Sequence, residues 1–139
     1  MTDSLKNRML VTLAAVLAIG MLGAAPKPRP PGTSVEMPYL IAPMSVDGKL
    51  VSYAYISSVV LTSSPDAAVD VRARLPFIQD AFVRDVNNAA IGTGDSLESI
   101  DQDALNKRLL ADAKRATGGS VVVGIKFTQI QVVPARTGH

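Results

Sequence analysis

The chain has 139 residues, 47% of them hydrophobic and 4% aromatic, with a formal net charge of +2. This length allows one domain and a short appendage. Cysteine is absent and the only histidine is His139, which excludes disulfides, thiolate metal sites, a cysteine nucleophile and a cysteine-linked lipid anchor. Charge is divided unevenly. Up to residue 35, Lys6, Arg8, Lys27 and Arg29 stand against Asp3 alone, whereas from Glu36 onward ten basic side chains face eleven acidic ones. The basic balance belongs to the front, so the globular part lacks a basic footprint for nucleic acid.

Met9–Ala25, MLVTLAAVLAIGMLGAA, runs 17 residues without a charge, behind Lys6 and Arg8. At ~1.5 Å per residue it reaches about 25 Å, the short end of what spans a bilayer. The expectation is a cytoplasmic head at 1–8, a transmembrane helix at 9–25, and export of everything that follows. A cleaved signal peptide shares the charged start and the small Ala24-Ala25, but Pro26 suits cleavage there poorly. Basic residues flank the span equally, so orientation rests on the shortness of the head. Residues 26–35 read as a Pro-rich linker. Pro26–Gly32, PKPRPPG, holds four prolines in seven residues and favours polyproline II, a stiff post.

The remainder, 36–139, reads as one folded domain. Met37–Val46 is apolar and strand-like, Asp47-Gly48 signals a hairpin turn, and Leu50–Leu61 returns as a strand. Along that strand Val51, Tyr53, Tyr55, Val59 and Leu61 share one face. Ser52, Ala54 and Ser58 mark the other, with Leu50, Ile56 and Val60. Ser64-Pro65-Asp66 opens a helix with a capping serine, a first-turn proline and an acid. Ala68, Val71, Leu75, Ile78, Phe82, Val86 and Ala89 form its apolar stripe at ~100° per residue. Asp70/Arg74 and Asp80/Arg84 are spaced as acid-before-base pairs on its flanks. The period continues through Pro76, which predicts one kinked helix or two short ones in line. A further helix over Asp101–Thr117 places Leu105, Leu109, Ala113 and Ala116 on one side, and Gly118-Gly119 ends it. Ser120–Val133 reads as a long strand whose bulky set switches face near Thr128-Gln129, the mark of a bulge. The fold class is α+β, a small antiparallel sheet packed with two or three helices, and no internal repeat is present.

Residues for catalysis are scarce. Gly92-Thr-Gly94 is a bare G-x-G, Thr117–Ser120 lacks the Lys and helix of a phosphate loop, and no G-x-S-x-G occurs. Asp95, Glu98, Asp101 and Asp103 cluster at a helix start, where solvated acids are favoured, without the oxygen spacing of a calcium loop. The expectation is therefore a protein that is not an enzyme, with no catalytic, cofactor-binding or metal-binding residues and no small-molecule substrate.

Four pieces of the chain together resemble the FliL family of flagellar basal-body-associated membrane proteins. They are the short N-terminal span; the hairpin with Pro43-Met-Ser-Val46 and Tyr53–Leu61; the helix Ser64-Pro-Asp-Ala-Ala68 leading into RLPFIQDAF; and the closing strand Val123–Ile130. The most specific element is R-x-P-x-I-x-D-A: Arg74, Pro76, Ile78, Asp80 and Ala81. The chain departs from the family pattern at Asn87–Gly94, which is looser than the usual helical continuation, and at Val133, where glutamine is common. The resemblance implies a single-pass inner-membrane protein with a periplasmic domain of stomatin/prohibitin-like fold. It implies self-assembly into a homo-oligomeric ring next to or around stator proteins, supporting torque and swimming. A membrane-anchored periplasmic scaffold of the same fold without a flagellar role is the alternative. A secreted binding module freed by cleavage near Pro26 is a third.

Phe77 falls opposite the Leu75/Ile78/Phe82 stripe. Either Pro76 rotates it into the core, or it stands out beside Arg74 and Arg84 as a contact for another protein, since aromatic and arginine side chains dominate interfaces.

Overall fold

Asp47 and Gly48 both take positive φ, 51° and 77°, the combination whose twist suits a two-residue hairpin. The chain accordingly doubles back from β2 (Leu40–Val46) into β3 (Lys49–Thr62). A computed structural model describes residues 29–136. The expected head at 1–8, the span at 9–25 and the first three residues of the linker lie outside the described residues. Among the described residues no helix is long and apolar enough to cross a membrane.

β3 is the centre of an antiparallel sheet. Its 14 residues pair on one side with β1 (Ser34–Glu36) and β2, placed end to end, and on the other with β4 (Val122–Pro134). Ser34 and Val35, read from the sequence as the end of the linker, are thus the first two residues of β1. Pro38, with no N–H to give, separates β1 from β2, while the Met37 N–H still bonds the Ser58 carbonyl at 3.0 Å. The bulge expected near Thr128 is present: Ser57 pairs with Gln129 and Ser58 with Phe127, leaving Thr128 unpaired. It returns Ile125 and Phe127 to the same face as Ile130 and Val132, all against the core.

Helices follow as α1 (Pro65–Ala73), α2 (Leu75–Asn88), a short 3₁₀ turn (Leu97–Ser99) and α3 (Gln102–Thr117). The Ser64 hydroxyl accepts from the Ala67 N–H at 3.0 Å, and an Asp101 carboxylate oxygen accepts from the Ala104 N–H at 3.1 Å. Gly118 at φ 87° closes α3 in the left-handed conformation. The architecture is α+β in two layers, with the helices on the small face of β3. Ser52, Ala54, Ile56, Ser58, Val60 and Thr62 are buried beneath them; the bulky Tyr53/Tyr55 face is the half-buried outer one. Small side chains let helices approach a sheet closely. The expected stripe is largely confirmed, with Ala68, Val71, Ile78, Phe82 and Val86 buried. Ala89 is an exception, because α2 stops at Asn88 and Ala89 is already extended (φ −135°).

Phe82 is the largest side chain fully enclosed between α2 and the sheet. Phe82→Ala is expected to cost about 3–5 kcal/mol. It should appear as a lowered urea midpoint with an unchanged slope.

Candidate functional site

The break between α1 and α2 builds the site. Arg74 leaves helical geometry (φ −106°, ψ 9°), and its N–H turns back to the Asp70 and Val71 carbonyls. Two residues later Pro76 has no N–H to return to the Arg72 carbonyl, which removes one bond of a continuous helix at the same place. Of the sequence's alternatives, two short helices is the outcome. Asp80 and Arg84 pair at 2.8 Å as spaced, but Asp70 and Arg74 form no ion pair. The junction instead aims the Arg74 guanidinium at the Ala116 carbonyl, 3.5 Å away.

Pro76 does not rotate Phe77 inward. Phe77 is 68% exposed, while its neighbour Ile78 is fully buried. It stands on the wall of a groove of about 730 Å³ between α2 and α3, and Arg74 and Arg84 line the same groove. All three residues singled out from the sequence are therefore brought together. The groove exists because Ala81 and Ala116 supply only methyl groups where the helices face each other.

Beneath the arginines lie two acids, which sequence reasoning missed. Arg108 of α3 donates to Asp85 of α2 (Nε to Oδ1, 2.9 Å) and to the Ala89 and Ala90 carbonyls at 3.0 Å each. It thereby caps the end of α2 with a cation, where the helix dipole favours one. Asp112 has a side chain only 8% exposed; its Oδ1 accepts from Arg115, and its Oδ2 has no partner. Burial pushes Asp112 above the ordinary value of 3.8, the Asp85 carboxyl beside it adds to the rise, and Arg115 opposes it. The signal was available: Asp112 lies seven residues after Leu105 and three after Leu109, on the stripe that faces the core.

Exposed charge at the groove is mostly basic and enclosed charge is acidic. At the rim Arg84 is 69% and Arg115 75% exposed, and Arg74 is exposed as well, against the exposed acid Asp80 at 63%; Asp85 and Asp112 sit on the floor. The arrangement suits contact with another macromolecule that brings an apolar side chain for Phe77 and anionic groups for the rim. Among the described residues no three His, Asp or Glu side chains converge as around a metal ion. Gly92 and Gly94 have structural roles: a Cβ on Gly92 would lie 2.1 Å from the Ser99 carbonyl oxygen, and the Gly94 carbonyl accepts from Ser52 Oγ at 3.1 Å. Neither any protein-family model nor any curated protein matches the chain.

A carboxyl whose value is raised by folding favours the protonated native state. Its contribution is fully present below 3.8 and is lost as pH rises through the raised value. Asp112→Asn, neutral throughout, is expected to gain stability relative to the natural chain as pH rises from 3.8 toward neutrality. Urea unfolding of both proteins across that range tests this, and a difference that is flat with pH would contradict it.

Proposed function

We propose that the chain is a non-enzymatic, flagellar basal-body-associated protein of the FliL type. Residues 9–25 hold it in the bacterial inner membrane as a single pass, and the domain stands in the periplasm with a stomatin/prohibitin-like fold. There it oligomerises next to or around stator units and supports motor torque and swimming.

The observation that carries this reading is the exposed Phe77 in a groove with Arg74 and Arg84, at the centre of the motif that bears the resemblance. Each motif position has a physical role in making that surface. Arg74 and Pro76 break the helix, Ile78 anchors α2 in the core, Asp80 holds Arg84, and Ala81 keeps the groove open. The order of elements, a hairpin followed by helices and a closing strand, is also what the resemblance implies. A rigid surface that presents an aromatic side chain between arginines fits an accessory acting by contact.

Deleting the gene is expected to reduce swimming speed, and a tagged copy should form foci at flagellar bases. Phe77→Ala should lower assembly in membranes and swimming together. Its effect on folding stability should stay within about 0.5 kcal/mol, the range of surface substitutions. Unimpaired swimming with an even membrane signal would favour the scaffold without a flagellar role.

A further inference from the structure

The acidic segment Asp95–Asp103, DSLESIDQD, sits on the connection between α2 and α3 and has no part in the groove. Its shape is set by its own chain. Gly92 and Ile100 form an antiparallel bridge, the Asp101 N–H bonds the Ile91 carbonyl at 3.2 Å, and Ser52 holds the Gly94 carbonyl. Ile91 and Ile100 are buried beneath it, whereas Leu97 at its tip is 42% exposed. Asp101 and Asp103 serve the start of α3, but Asp95 and Glu98 are exposed. Among the described residues neither of these two forms an ion pair.

The two surfaces complement each other. The groove offers an exposed aromatic ring ringed by Arg74, Arg84 and Arg115; the loop offers an exposed leucine flanked by Asp95 and Glu98. Arg74 has no carboxylate partner among the described residues, and the Asp80–Arg84 pair is exposed and so weakly held. Within one molecule the loop's acids form no ion pair with these arginines. The tethers on the loop leave little conformational freedom to lose on docking. Two grooves face to face, by contrast, would set a basic excess, three exposed arginines with one exposed acid, Asp80, against the same excess.

We propose that the groove receives the Asp95–Glu98 loop of a second copy, Leu97 packing on Phe77 and the two acids meeting the arginine rim, so that copies join head to tail. This rests on the reading of the protein as self-associating and assigns the surfaces that do it. The contact is heterologous, so any open series keeps one free groove at one end and one free loop at the other, and it closes into a ring or extends.

The full chain, extracted from membranes in mild detergent and weighed by native mass spectrometry, tests it with two exposed charge reversals. Arg74→Glu with Arg84→Glu alters the groove; Asp95→Lys with Glu98→Lys alters the loop. Each pair alone is expected to reduce the protein to monomers while its thermal melting stays cooperative. Mixing the two variants should restore assemblies larger than dimers, because every contact in the mixture is complementary again, and so should all four substitutions in one chain. Loop variants that assemble like the natural chain, or a mixture that stays monomeric, would overturn the head-to-tail contact and leave self-association through another surface. A natural chain that is monomeric would overturn it too, and the swimming phenotype of the deletion strain would then decide the motor reading separately.

Discussion

Every other strand in this domain hydrogen-bonds to β3, and that single dependence organises the molecule. A strand of 14 residues is long enough to hold two short strands in line on one side and one long strand on the other. Its inner face alternates small and branched side chains, Ser52, Ala54, Ile56, Ser58, Val60 and Thr62. Hydroxyl groups on that face find nearby carbonyls, Ser52 on Gly94 and Thr62 on Ser64, so the face stays close-packed without stranding those polar atoms. The helices come to that side because it lets them come near. β4 meets the same constraint by two register shifts, leaving Thr128 and Val123 unpaired, since strict alternation would turn either Ile130 and Val132 or Ile125 and Phe127 away from the core and would not bury both Val122 and Ile125.

The groove is a consequence of how the helices cross this surface. α2 needs Ile78, Phe82 and Val86 on the sheet, which sends Phe77 outward at ~100° per residue. The junction at Arg74 separates α1 from α2, which places Pro76 in the first turn of α2, where its missing N–H is tolerated. α3 then lies antiparallel to α2, fastened by Arg108 at one end and met by Arg74 at the other. Between those fastenings, alanines on both helices leave space that no side chain of the chain fills. The acids on the floor carry a cost, because a buried carboxylate oxygen without a donor is unfavourable. Asp112 is the one charged side chain among the buried residues described, which sets this corner apart from the rest of the core.

Much of the fold was legible because its signals are local. Asp47-Gly48 specifies its turn through backbone conformation, Ser64-Pro65 and Gly118 mark helix ends through capping, and the change of face at Thr128 is written in the alternation of one strand. Helical period offered the coplacement of Arg74, Phe77 and Arg84 as one of two alternatives, the other being rotation of Phe77 inward at Pro76; the exposure of Phe77 decides between them. What was not legible depends on partners distant in sequence. β1 has three residues and no period; it is a strand only because Val59, Val60 and Leu61 lie opposite. Either face of β3 could have been the inner one, since the bulkier side chains belong to the outer. Asp70 and Arg74 have the right spacing for a pair but not the continuous helix that spacing presumes. Asp112 lay on the apolar stripe of α3, but its neighbour Asp85 comes from another helix, and only the crossing brings the two carboxyls together.

The manner in which the chain enters the domain bears on the proposed role beside a motor. β1, on the edge of the sheet, is the first strand, and three residues of edge pairing would peel readily under a pull from the linker. The structure places stronger ties ahead of it. Arg29 donates to the Thr62 carbonyl at 2.7 Å, the Thr62 N–H returns to the Thr33 carbonyl at 2.8 Å, and Thr33 Oγ1 holds the Pro30 carbonyl at 2.7 Å. These bonds tie the chain ahead of β1 directly to the end of β3, the strand to which all others are bonded. The same tie sits beside Ser64, the cap of α1, whose far end is the Arg74 junction. Linker, central strand and the helix leading to the groove thus share one corner. In the proposed role, that shared corner couples the described end of the linker to the direction in which the groove faces.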